Sequence, residues 1–239
     1  MVVDKDTHSH HISQQFNEEL EQLKNQLLAM GGQVERQVND AIKSLIDGDS
    51  DLAQIVRDND RDINEMELSI DENCARILAR RQPAASDLRL IIAVSKANTD
   101  IERVGDESKR IAKLAIQMSE SGESPRGYVE VRHISDRVST MLRDALDALA
   151  RFDVDLALQV AREDKLVDMD YKSAIRELIT YMMEDPRSIS RVMNIIWALR
   201  SLERVGDHAR NIAEHVIYLV KGRDVRHATY EQLEREVRS

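Results

Sequence analysis

Apolar residues recur at every third or fourth position through most of this 239-residue chain. This spacing is typical of amphipathic α-helices. We predict six helices, at about 12–47, 51–81, 86–119, 128–151, 154–183 and 188–221. In the sixth, one apolar arc comprises Val192, Ile195, Leu199, Leu202, Ala209, Val216 and Val220. The charged segment after residue 221 reads either as a short final helix or as a frayed end.

Short polar or Gly/Pro-containing breaks separate these segments and make short loops. Ser86 and Ser188 are the predicted N-caps of the third and sixth helices. The stretch Ser119–Gly127 is the place where Ser, Gly and Pro cluster. We place the domain boundary there, with a first three-helix bundle and its N-terminal arm in 1–122 and a second bundle with a C-terminal tail in 123–239.

The chain repeats itself internally. The pentapeptide Glu-Arg-Val-Gly-Asp occurs at Glu102–Asp106 and again at Glu203–Asp207, and residues 49–56 resemble residues 153–160. Self-similarity of this length indicates a doubled structural unit. Because three antiparallel helices with short loops form a bundle, we predict an all-α fold of two tandem three-helix bundles.

Each pentapeptide places two carboxylates four residues apart, on one face of its helix. A glycine inside a helix costs about 1 kcal/mol of stability relative to alanine. Because both pentapeptides nevertheless contain a glycine at the same position, we expect another group to approach the helix backbone closely there. The preceding helix of each half carries a second polar pair at the same spacing. Oxygen-rich groups of this kind suit hard cations, and iron or zinc also accept carboxylates. The candidate metal ligands are Asp60, Glu102, Asp106, Asp164, Asp168, Glu203 and Asp207.

Solvated helix faces are the alternative interpretation of these carboxylates. Acidic residues four apart are common on exposed helices, and four arginines are placed to pair with them: Arg103, Arg110, Arg204 and Arg210.

Charge and composition narrow the classes of function. The net charge of −10 lacks the basic character of a nucleic-acid binder and suits cations or basic surfaces of other proteins. No apolar run approaches the roughly 18 residues that cross a bilayer, and no signal peptide is visible. The single Cys74 fits a reducing compartment and, from its apolar neighbours, the core. We therefore expect a cytoplasmic protein without membrane insertion. We interpret His8, His10 and His11 as part of a mobile polar arm at the N-terminus.

Signatures of catalysis are missing from the sequence. No Gly-rich phosphate loop, nucleophile elbow or Cys/His zinc motif is present. A Glu-x-x-His spacing occurs at Glu130 and His133, whereas a ferritin-like di-iron site needs two such motifs. His208 and His215 have no evident nucleophile beside them.

The twin pentapeptide helices, the duplicated unit, and the stretches Arg80–Arg89 and Thr180–Asp185 resemble the bacterial PhoU family, from about Ile12 to about His227. The resemblance implies a cytoplasmic negative regulator of the phosphate-starvation response. Such a regulator passes a signal between the phosphate ABC transporter and a sensor histidine kinase, and it restrains phosphate uptake. The implied partners are that kinase, the ATPase subunit of the transporter and a second copy of the chain in a homodimer.

The resemblance also implies divalent or trivalent metal ions, such as Mg, Mn, Zn or Fe, at the Glu/Asp-x-x-x-Asp motifs. These fall on Glu102 with Asp106 and on Glu203 with Asp207. Asn64 stands where the second half has Asp168, and Arg110 where it has Asn211, so we expect the second site to bind cations better.

Two mechanisms are compatible with these residues. In the first, the protein is a non-enzymatic adaptor whose acidic surface is ordered by metal ions. In the second, it is a metal-dependent enzyme acting on a phosphate-containing substrate.

Overall fold

The structure is a computed structural model that describes residues 5–120, 129–226 and 228–238, with side chains from residue 14 onward. The helices are α1 Lys5–Asp47, α2 Ser50–Arg81, α3 Ala85–Glu120, α4 Val129–Arg151, α5 Val154–Glu184, α6 Ile189–Lys221 and α7 Tyr230–Arg238. A short 3₁₀ turn, Pro186–Ser188, joins α5 to α6.

The helices form two three-helix bundles, which confirms the predicted fold class. Helices α1, α2 and α3 pack on one another, and so do α4, α5 and α6. The bundles meet along two seams, one between α3 and α6 and the other between α1 and α4. The predicted boundary at 122/123 and most of the Ser/Gly/Pro stretch lie outside the described residues.

The structure contains more helix near both ends of the chain than the six predicted helices. Helix α1 begins at Lys5 instead of about residue 12, because residues 5–11 contain no glycine or proline to stop it. The side chains of His8, His10 and His11 lie outside the described set. Of the two interpretations of the segment after residue 221, the short final helix is the correct one. Helix α7 packs on α5 and buries Leu233 and Val237.

Aspartates cap α2 and α5, and neither of the predicted serines caps its helix through its side chain. The side chain of Asp49 accepts from the Leu52 amide at 2.9 Å, and Asp153 does the same for α5. The prediction for Ser86 was wrong, because α3 already begins at Ala85. Ser188 does precede α6, but its hydroxyl donates to the Asp185 carbonyl at 2.7 Å instead of capping the helix.

The pentapeptide glycines face the core and not the carboxylates. A Cβ on Gly105 would lie 3.4 Å from Ile63 Cδ1, and one on Gly206 would lie 3.6 Å from Val167 Cγ1. These are ordinary packing distances between neighbouring helices. The groups that approach the helix backbone at these glycines are therefore core side chains and not a ligand.

Cys74 is buried in the first bundle, as its apolar neighbours predict. Within the described residues, no helix is long and apolar enough to cross a membrane.

Candidate metal centres

The second bundle brings its four predicted ligands together across the α5–α6 groove. Glu203 is the most buried of the acids on α6 that belong to this cluster, with 8% of its surface exposed. Its Oε1 accepts from Arg200 Nη1 at 2.7 Å, and its Oε2 is buried without a hydrogen-bond partner among the described residues. Burial, followed by the charges of Asp207, Asp168 and Asp164, raises the pKa of Glu203 to about 7.

The other three carboxylates of this cluster differ in their partners. Asp164 is buried and accepts from Arg210 Nη1 at 3.0 Å; desolvation still raises its pKa. Desolvation and the charges of Asp164 and Asp168 likewise raise the pKa of Asp207. Asp168 is half-exposed and lies 3.7 Å from Lys172. Apart from Arg200, Arg210 and Lys172, this groove is lined by like charges.

The first bundle repeats the arrangement across the α2–α3 groove. Asp60 is buried and accepts from Lys109 Nζ at 2.5 Å. Burial and the like charges of Asp106, Glu67 and Asp60 raise the pKa of Glu102. The predicted ligands of this half therefore also lie together.

Lys109 and Glu67 in the first cluster were missed from sequence, whereas Arg210 was among the arginines predicted to pair with the carboxylates. Lys109 and Arg210 are equivalent in the repeat, because they lie 101 residues apart like the pentapeptides, and each bonds the first aspartate of its own cluster. An offset search that scores Lys and Arg as alike would have found Lys109 from Arg210. Glu67 also joins the first cluster, where burial and the charges of Asp71 and Asp106 raise its pKa.

The sequence predicts that the second site binds cations better than the first, and the structure gives less support for this difference. Glu67 supplies the negative charge that Asn64 lacks, while Arg110 turns away from the cluster and donates to Glu107 at 2.6 Å. Each cluster thus holds four carboxylates and one cation that bonds its first aspartate. The remaining difference is Glu203, whose pKa is the more strongly raised.

Carboxylates alone offer the donor set that hard cations prefer, and the free Glu203 Oε2 is an unused ligand atom beside three like charges. In the first cluster Asn64 Oδ1 is likewise buried and without a hydrogen-bond partner among the described residues. No three Asp, Glu, His or Cys groups in the described part of the chain converge closely enough to hold a metal ion as they stand. The donor types suit a hard cation, but their present arrangement does not form a metal site.

The α3–α6 seam holds a second polar network that sequence reasoning missed. Asp100 on α3 accepts from His208 Nδ1 at 2.9 Å, Asn211 Nδ2 at 3.0 Å and His215 Nε2 at 2.8 Å, all on α6. Desolvation opposes its ionisation, but these bonds outweigh it and lower the pKa of Asp100 to about 2. No sequence signal pairs residues on helices that lie 100 positions apart.

Glu107 bridges the same seam further along α3. It is 2% exposed and lies 3.0 Å from Arg204 Nε of the second bundle, in addition to Arg110. Of the four arginines predicted to pair with the carboxylates of the clusters, Arg103 and Arg210 do so, at 3.7 Å from Glu102 and 3.0 Å from Asp164. The other two bind Glu107 instead.

Comparison with known proteins identifies the family to which the chain belongs. The family model described as the PhoU domain matches twice, at residues 27–115 and 131–216. A relative from Pseudomonas aeruginosa, named phosphate-specific transport system accessory protein PhoU homolog, is 67% identical over 99% of this chain and 98% of its own. The Escherichia coli protein named phosphate-specific transport system accessory protein PhoU is 45% identical over 94% of this chain and 93% of its own.

The solved structures agree. A crystal structure of PhoU from Pseudomonas aeruginosa superposes with a TM-score of 0.85 at 69% identity, covering 87% of this chain and all of that one. The doubled domain match coincides with the two bundles and with their two carboxylate clusters. The chain belongs to the PhoU family.

Proposed function

We propose that this protein is a cytoplasmic negative regulator of the phosphate-starvation response. It acts as an adaptor between the ATPase subunit of the phosphate ABC transporter and the sensor histidine kinase, and it restrains phosphate uptake. Family membership supports the phosphate-transport setting, since the relatives are named as accessory proteins of that system. The observation that carries the adaptor mechanism is the duplicated carboxylate cluster, which presents like charge at one groove of each bundle.

Metal ions complete this surface in our proposal. In the second bundle Glu203, Asp207 and Asp168 would hold the cation, because Asp164 already bonds Arg210. In the first, Glu67, Glu102 and Asp106 remain after Asp60 has bonded Lys109. A bound Mg, Mn, Zn or Fe ion supplies positive charge that offsets the repulsion among these carboxylates.

The cation would therefore order the groove and give the partner a charge to recognise. Coordination positions that the protein leaves open on the ion could also be filled by a partner's ligands, which would make the ion a bridge. A homodimer would present four such grooves, and the mass of the purified protein in solution, measured by light scattering, tests that assembly.

We assign the protein no enzymatic activity. His208 and His215 each bond Asp100 through one ring nitrogen, and within the described residues neither ring is hydrogen-bonded to a Ser, Thr or Cys side chain that it could activate. No nucleophile with an adjacent base occurs at either groove within the described residues. Release of phosphate from a panel of phosphate esters by metal-loaded protein, lost in Asp207→Ala, would reverse this assignment in favour of the metal-dependent enzyme.

Deletion of the gene tests the regulatory role. We expect a reporter of phosphate-starvation genes to be active even in phosphate-rich medium, and the wild-type chain to silence it again. A Glu203→Ala/Asp207→Ala chain should fold but fail to silence the reporter, whereas an exposed-site variant such as Asp155→Ala should silence it fully. An unchanged reporter after deletion would contradict the proposed function.

A further inference from the structure

An exposed stripe on α6 has the composition of a protein-binding surface. Ile189, Met193 and Trp197 follow one another at four-residue steps, and Arg200 and Arg204 continue the same face. Trp197, the chain's single tryptophan, is 56% exposed, and Ile189 is 47% exposed. We call these five residues the α6 stripe. Exposed Trp and Met beside Arg is the pattern of interface hot spots, and a contiguous exposed apolar patch indicates a binding site.

The two arginines keep donors available at one end of the stripe. Arg200 donates one N–H group to Glu203, and Arg204 pairs through one N–H group with Glu107. Their side chains are nonetheless 50% and 39% exposed. The stripe therefore offers an apolar end followed by a cationic end over about 22 Å of helix, at 1.5 Å per residue.

The internal repeat shows what contacts the position equivalent to Trp197 in the first bundle. Lys96 corresponds to Trp197 in the repeat, and its ammonium lies 5.3 Å from the centre of the Tyr218 ring and 3.9 Å from Asp224. Gly222, between these two, lies beside the Arg89 guanidinium. A segment that carries an aromatic ring and then a carboxylate thus contacts Lys96 on the first face. Trp197 has no hydrogen bond or ring contact with any described residue.

We propose that the α6 stripe binds an acidic amphipathic helix of another protein, whose apolar side chains contact Met193 and Trp197 and whose carboxylates reach Arg200 and Arg204. Charge complementarity favours this occupant, because the five residues of the stripe include two arginines and no acidic residue. The chain's net charge of −10 opposes an anionic membrane. The proposal rests on the proposed function only for the partner's identity as a transport or signalling component.

Site-specific photocrosslinking in phosphate-replete cells captures whichever molecule occupies the stripe. Met193→p-benzoylphenylalanine places the crosslinker inside the stripe and keeps Trp197. Leu68→p-benzoylphenylalanine is the matched control, since Leu68 is also an exposed apolar residue but lies on the first bundle. Mass spectrometry then identifies the crosslinked peptide.

We expect a peptide of another protein with apolar residues at helical spacing followed by Asp or Glu. Its yield should fall several-fold with Trp197→Ala and with Arg200→Gln, and it should be retained with Arg200→Lys, which keeps the charge. Products with lipid alone, with a second copy of this chain alone or with a basic peptide would overturn the proposal, as would a yield no higher than that from position 68. If the acidic helix comes from a protein outside phosphate transport and signalling, the stripe is upheld and the proposed function fails.

Discussion

The ionisation of Glu203 gives a quantitative test of the second carboxylate cluster. Its pKa is about 7 in the folded chain against 4.5 for an ordinary glutamate. The side chain is 11% exposed, so solvent screens this shift little. At about 1.4 kcal/mol per pKa unit, ionised Glu203 costs the fold as much as about 3 kcal/mol above pH 7. The adjacent carboxylates can relax, and we therefore expect about 2 kcal/mol.

The sign of the pH dependence follows from the direction of this shift. Below pH 4.5 the carboxyl is protonated in both the folded and the unfolded chain and has no effect. Between pH 4.5 and about 7 the unfolded chain ionises first, so the wild-type fold loses stability as the pH rises. Glu203→Gln is neutral throughout. It should raise the free energy of unfolding by about 2 kcal/mol at pH 8 and by less than about 1 kcal/mol at pH 5.

Urea unfolding followed by circular dichroism, in the presence of a chelator, measures both values. Glu107→Gln is the matched control, because Glu107 is also a buried glutamate with one unpartnered oxygen. It accepts from two arginines, however, and its neutral variant should lose about 2 kcal/mol at pH 8. Destabilisation by Glu203→Gln at pH 8, or an equal gain at both pH values, would refute the reasoning.

Three further predictions concern the core, the seam and the cation. Gly206→Ala should stabilise the fold by about 1 kcal/mol in urea unfolding, because a Cβ there meets Val167 at an ordinary packing distance; a loss would mean that the glycine is needed. Asp100→Asn should cost about 2 kcal/mol at pH 7, and the difference should shrink as the pH falls from about 4 toward 2, since the folded pKa is depressed; a constant difference would contradict this. Mn²⁺ affinity by calorimetry should rise about tenfold from pH 6 to pH 8 as Glu203 loses its proton, and this rise should vanish in Glu203→Gln; a rise that persists there would assign the proton elsewhere.

Much of the fold could be predicted from periodicity and self-similarity. The six main helices end within a few residues of their predicted bounds, apart from the start of α1, because long amphipathic segments bury one continuous face whatever the tertiary detail. The caps were harder to predict. Asp and Ser both suit an N-cap, and the choice between Asp185 and Ser188 depends on a 3₁₀ turn that has no clear sequence signature.

The candidate site could be predicted only within each helix. Four-residue spacing places Glu203 beside Asp207, but it does not show that Lys109 and Arg210 reach across to the preceding helix. The packing of α3 on α6 decides the partners of Asp100, and that packing depends on how the two bundles meet. Sequence reasoning therefore identified the carboxylates of the clusters and Arg210, and it missed Lys109 and the network of Asp100 with its two histidines.

The central claim is that a cation in the carboxylate clusters enables the adaptor to bind its partners. A pull-down from phosphate-replete cells, with and without chelator, tests it most directly when wild type is compared with Glu203→Ala/Asp207→Ala of unchanged helical content. We predict that wild type recovers the sensor kinase and the transporter ATPase, and that either chelator or the double substitution abolishes recovery. Recovery that is insensitive to both, or no recovery of either partner by wild type, would contradict the account.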